Sequence, residues 1–226
     1  MRKFNYFTCG ELALWFGSMM LIITAFVIFD RKEYLTLAAS ITGVTSLIFS
    51  AKGNPFGQFL MIIFSLLYGI ISYSFRYFGE MITYLGMTGP MALFSLISWL
   101  RNPYKGNRAQ VRVNRVRLPE YIFMALLSTA VTVLFYHILR AFSTANLIPS
   151  TLSVTTSFIA VYLTFRRSPY YALAYAANDA LLIYLWLLAS ISDSSYISVL
   201  VCFAVFLVND LYGLVCWRRM EKIQKD

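Results

Sequence analysis

The sequence predicts an all-helical integral membrane protein with eight transmembrane spans. Three observations carry this reading: the composition, the lengths of the apolar runs and the distribution of basic residues. Of 226 residues, 59% are apolar and 13% charged, against about 45–50% and about 25% in soluble domains. A soluble fold of this size could not bury so much apolar surface, so the bilayer must serve as a second apolar solvent. The composition excludes a soluble enzyme, a nucleic-acid-binding domain and a disordered chain. The net charge of +9 then reads as a topology signal.

A span needs about 20 apolar residues. The first covers 11–29. Arg2 and Lys3 precede it as in a signal peptide, but the run is too long for that, and Phe29-Asp30-Arg31 is no cleavage site of small residues. The second covers 34–51. The third, 55–75, opens on Pro55, whose missing N–H is not needed in a first helical turn. The fourth, 80–100, is interrupted by Gly89-Pro90 near its centre. The connection 101–119 is the longest and carries Val111-Arg112-Val113-Asn114-Arg115-Val116-Arg117. It alternates like a strand; it is read as a solvated positive loop, with contact to anionic headgroups as the alternative. The fifth span covers 120–141, the short sixth 149–165, the seventh 169–191 and the eighth 195–217.

With eight spans both termini lie on one side. That side holds Arg2, Lys3, Lys52, Arg101, Lys105, Arg108, Arg112, Arg115, Arg117, Arg166, Arg167, Arg218, Arg219, Lys222 and Lys225, or 15 of the 19 basic residues. Arg31, Lys32, Arg76 and Arg140 lie opposite. Cytoplasmic loops collect Lys and Arg, so both termini are expected in the cytoplasm.

The chain also resembles itself. Lys52-Gly53-Asn54-Pro55-Phe56 and Arg166-Arg167-Ser168-Pro169-Tyr170 share base, small polar residue, proline and aromatic at an offset of 114. Trp99-Leu100-Arg101 and Trp217-Arg218-Arg219 recur at 118. Helices two to four therefore match helices six to eight in the same orientation, and helix five reverses the chain between them. The arrangement is 3+1+3 with an additional N-terminal helix, a parallel repeat of the kind transporters use. The expected divisions are 1–33 for the extra helix, 34–101 for the first repeat, 102–148 for the basic loop and linker helix, 149–220 for the second repeat and 221–226 for the tail.

Polar residues inside spans are costly and mark function. Asn178-Asp179 falls near the middle of helix seven and Asn209-Asp210 somewhat past the middle of helix eight. Tyr175, Asn178, Asp179, Leu182 and Trp186 share a face, as do Asn209, Asp210, Gly213 and Trp217. Tyr68 on helix three and Glu80 and Tyr84 on helix four join the candidate pocket by position. Amides and carboxylates can bind sugar hydroxyls, and aromatic faces can stack on a flat, cationic ring. The same groups could instead tie helices together. Repeat symmetry gives no reason for Asp179 and Asp210 to meet, since they match Ser65 and Ala92. No catalytic residue is expected. Cys9, Cys202 and Cys216 lack metal-site spacing, and His137 is the only histidine, so no metal or cofactor is expected. No GxxxxGK[ST] loop is present.

Phe78-Gly79-Glu80 through Trp99, Ala177-Asn178-Asp179 to Trp186, and Asn209-Asp210-Leu211-Tyr212-Gly213 ending in Trp217-Arg218-Arg219 resemble the PnuC family of bacterial nicotinamide riboside transporters over roughly 34–220. The resemblance implies a SWEET-type 3+1+3 fold in the plasma membrane and a homotrimer. It implies facilitated diffusion of nicotinamide riboside for NAD synthesis, with trapping by a separate cytoplasmic kinase. Asn178, Asp179, Trp186, Asn209, Tyr212 and Trp217 carry over as motif matches, and Asp210 completes the substrate-binding candidates. The segment Gly89 to Trp99 departs from the Asn-x-Tyr-Gly-Trp-like pattern of the family. The alternatives are the same fold carrying thiamine, riboflavin or a deoxynucleoside, with or without proton coupling, and an intramembrane aspartyl enzyme.

Overall fold

A computed structural model describes residues 6–74, 78–144 and 146–225. Arg2, Lys3 and Arg76 of the charge partition lie outside the described residues. Among the described residues, eight helices are long and apolar enough to cross a bilayer. They are α1 (Cys9–Phe29), α2 (Tyr34–Ala51), α3 (Pro55–Ser74), α4 (Phe78–Leu100), α5 (Leu118–Ala141), α6 (Leu147–Phe165), α7 (Tyr171–Ser190) and α8 (Ile197–Ile223). The eight expected spans are all present with ends displaced by a few residues; α8 runs furthest beyond its expected end.

Local chemistry sets the helix ends. Thr8 and Glu11 form a capping box at the start of α1, with Glu11 N–H donating to Thr8 Oγ1 (3.2 Å) and Thr8 N–H to Glu11 Oε2 (2.7 Å). Pro90 interrupts α4 without ending it. Proline lacks an N–H and its ring crowds the carbonyl one turn back. The helix answers with a π turn over Tyr84–Thr88, in which Gly89 N–H reaches the Tyr84 carbonyl, before α-helix resumes from Gly89 to Leu100.

The basic connection is not a solvated loop. Pro103–Tyr104 (β1) and Asn107–Val111 (β2) form a hairpin that turns at Lys105 and Gly106, both with positive φ (48° and 79°). Beyond it the chain runs as a strap. Val111, Val113 and Val116 pack inward against Trp99, Trp217 and Met220, and Val111 is fully buried. Arg112, Arg115 and Arg117 point outward. The alternation is real because the valine face lands on the helix turns beneath it. Val111 N–H donates to Gly53 O (2.9 Å) and Asn114 N–H to Arg167 O (3.0 Å). The Gln224 side chain grips the strap twice, accepting from Val113 N–H (2.7 Å) and donating to Val111 O (3.1 Å).

α2 and α6 end alike. Gly53 and Arg167 hold positive φ (67° and 57°). Asn54 N–H then returns to Phe49 O (3.0 Å) and Ser168 N–H to Leu163 O (2.9 Å), all at the offset of 114. The tryptophans cross over between these ends: Trp99 Nε1 donates to Thr164 O (2.9 Å) and Trp217 Nε1 to Ser50 O (2.8 Å). Packing follows the same exchange, α2 against α8 and α4 against α6. α1 touches α2 and α8, while α5 touches α6 and α4. An ion pair fixes each of these flanking helices, Glu11 to Lys52 (2.9 Å) and Glu120 to Arg166.

Candidate functional site

The strap, the two tryptophans and the ion pairs lie at one end of the bundle, here the basic end. At the other end a cavity of about 410 Å³ lies between α4, α5, α6 and α7, within the usual size of small-molecule sites of about 300–1,000 Å³. Thr144, Asn146, Ser192, Asp193 and Tyr196 line its mouth. Glu80, Tyr84 and Trp186 line its wall, with the hydroxyls of Ser153 and Ser157 on α6. The exposed Asp193 carboxylate accepts the Ser195 N–H (2.9 Å), which holds it below the ordinary aspartate range.

Deeper in the bundle, Tyr84 and Ser157 also border a second void of about 30 Å³. Asn178, Asp179, Tyr175 and Asp210 line this one, with Phe203 and Phe206 of α8. Asp179 and Asp210 are both buried and both line this void, although repeat symmetry gave no reason for them to meet. α7 and α8 follow one another in the chain and pack together, so residues near mid-helix on their facing sides meet at equal depth.

Tyr68 sits behind the wall. Its ring is 4.4 Å from that of Tyr84, and its hydroxyl lies beside the Glu80 carboxyl. Asn178 is at the second void, and its Oδ1 accepts from Ser153, Thr156 and Ser157 of α6 (3.1, 3.0 and 3.0 Å). Three other candidates stand apart from both spaces. Asn209 Nδ2 donates to Ser18 Oγ of α1 and to Val205 O (2.9 Å each). Tyr212 donates to Glu11 (3.2 Å), and Trp217 is fully buried at the basic end. There its ring lies 5.3 Å from that of Trp99 and 4.9 Å from that of Tyr171, closing the bundle. Ser153, Ser157 and Tyr196 escaped the sequence reading. The spacing Ser150, Ser153, Ser157 on one helical face was the available signal. Among the described residues, no group of three or more metal-ligating side chains gathers.

Comparison with known proteins fits this geometry. Residues 33–219 match the profile of a family described as nicotinamide mononucleotide transporter. A nicotinamide riboside transporter PnuC of Neisseria mucosa is 23% identical over 215 residues, 93% of this chain and 81% of that protein. The nicotinamide riboside transporter PnuC of Haemophilus influenzae is 21% identical over 191 residues, 84% of this chain and 81% of its own length. The crystal structure of the vitamin B3 transporter PnuC superposes with a TM-score of 0.85 at 21% identity, covering 98% of this chain and 95% of that one.

Proposed function

The chain belongs to the nicotinamide mononucleotide transporter family, and from that premise we propose that it carries nicotinamide riboside into the cell by facilitated diffusion. It is a transporter and not an enzyme, as its relatives are. The cavity of about 410 Å³ carries the proposal. Its Trp186, Tyr84 and Tyr196 rings suit a flat pyridinium, which gains cation–π attraction that a neutral ring lacks. Its serine hydroxyls suit a ribose. Glu80 and Asp193 favour the riboside over the mononucleotide, because carboxyls repel a phosphate and attract a cation.

The two crossed tryptophan bonds and the matched ends of α2 and α6 support two parallel three-helix units joined by α5, with α1 added before them. The excess of basic residues at one end supports a plasma-membrane protein with both termini cytoplasmic and the cavity facing outward. A homotrimer and trapping of the riboside by a separate cytoplasmic kinase complete the proposal.

Uptake of labelled nicotinamide riboside into liposomes holding only this protein tests it. Counterflow should persist with a proton ionophore, and unlabelled mononucleotide, thiamine or riboflavin should compete poorly. A second reading, proton-coupled transport, is favoured by two carboxyls, Asp179 and Asp210, buried together at the second void. Loss of counterflow when the gradient collapses would select it.

A further inference from the structure

Arg167 combines two unfavourable features. It holds a positive φ of 57°, where its counterpart 114 residues earlier is Gly53 at 67°. Glycine adopts that conformation without a steric cost, whereas a residue with a Cβ does not. Its guanidinium Nε and Nη1 are also buried with no hydrogen-bond partner among the described residues. Buried donors left unsatisfied are rare and costly.

The surroundings aggravate this. Burial, Arg166 and then Arg112 all press the Arg167 guanidinium below its ordinary value. The nearby acid is already engaged, since Glu120 receives both Arg166 Nε and Nη2. Glu221, also at this end, serves Arg115, Arg218 and Lys225, and Glu11 pairs with Lys52. The strap holds the arrangement in place, because Asn114 N–H is bonded to the Arg167 carbonyl two residues after Arg112. The end of α6 offers its negative dipole end, but that attraction needs neither the positive φ nor the buried nitrogens.

We propose that Arg167, with Arg112 of the strap, forms a binding site for a phosphate oxyanion at the basic end of the molecule. A phosphate supplies acceptors to orphaned guanidinium donors and neutralises adjacent arginines. The phosphate can come from a lipid headgroup or from the solution. This site is separate from the cavity and does not rest on the substrate assigned to it.

The test uses the full-length protein with its melting followed in detergent. Inorganic phosphate is titrated against chloride at equal ionic strength. Phosphatidylglycerol and phosphatidylcholine nanodiscs are compared in parallel. Wild type, Arg167→Gly and Arg112→Gln are measured; Arg167→Gly is expected to fold, because Gly53 holds the same turn. Stabilisation by phosphate that weakens about tenfold or more in affinity in both variants assigns a soluble phosphate. Stabilisation confined to phosphatidylglycerol and lost in both variants assigns a headgroup. Equal responses in wild type and variants overturn the site. So does an Arg167→Gly protein that melts lower than wild type in chloride alone, since Arg167 would then be needed without any phosphate.

Discussion

Asn178 accepts three hydroxyl hydrogen bonds from α6, and Asn209 reaches α1 through Ser18. Their sequences are alike, an asparagine before an aspartate inside a span, and nothing local separates a pocket amide from one that ties helices. The difference lies in the partners, which only the packing supplies. Asn209→Ala should lower the melting temperature and leave riboside affinity nearly unchanged; bonds between helices in membranes average about 0.6 kcal/mol each. Asn178→Ala releases three donors, of which Ser153 and Ser157 line the cavity, so calorimetry should find affinity and melting reduced together. Normal affinity in that variant would place Asn178 wholly in the scaffold. Trp186 was legible from its face of helix seven, and its ring does line the cavity. Trp186→Phe should bind within a fewfold of wild type, and Trp186→Ala should bind about tenfold more weakly if the ring stacks on a cation.

Among the elements, the apolar runs made all eight helices readable, because a span of that length has few alternatives in a bilayer. The strap was harder. Its alternation of valine and arginine was visible, but a strand-like period shows two faces without saying whether either is covered. Burial of Val111 and the Gln224 clasp come from parts of the chain more than a hundred residues apart. The α2–α3 contact was likewise hidden in one glycine. A Cβ on Gly57 would meet the Ser50 backbone nitrogen at 2.6 Å and the Ser46 carbonyl oxygen at 2.8 Å, neither of which a side-chain rotation can relieve. Ser46 Oγ already donates to the Gly57 carbonyl across that contact (2.8 Å). Gly57→Ala should therefore destabilise by about 1–3 kcal/mol, seen as a lower melting temperature. An unchanged melt would mean that the two helices do not pack this closely.

At the scale of the whole molecule, the internal offsets of 114 and 118 were read as a repeat of sequence, and they reappear as bonds. Trp99 Nε1 to the Thr164 carbonyl and Trp217 Nε1 to the Ser50 carbonyl are two contacts of one kind, as the proposed pairing of three-helix units requires. What the offsets could not reveal is that this contact closes the bundle. The cavity reaches one end, while Trp99, Trp217 and Tyr171 fill the other above the strap. If the molecule taken up through the cavity leaves at the basic end, as the proposed function requires, these rings stand across its way. Replacing either tryptophan with phenylalanine keeps one aromatic ring and removes the Nε1 donor with the rest of the indole; the hydrogen bond alone is worth about 1 kcal/mol, or about fivefold in a population. Ala172 packs fully buried against this cluster and is a suitable reporter. With the native cysteines replaced, Ala172→Cys should react with a thiol reagent from the basic end about fivefold faster in Trp99→Phe and in Trp217→Phe. Equal acceleration in the two variants is what paired, equivalent closures require. Acceleration in only one would assign the exit to a single half of the molecule, and reaction from the cavity end instead would mean that the tryptophan pair is not the barrier.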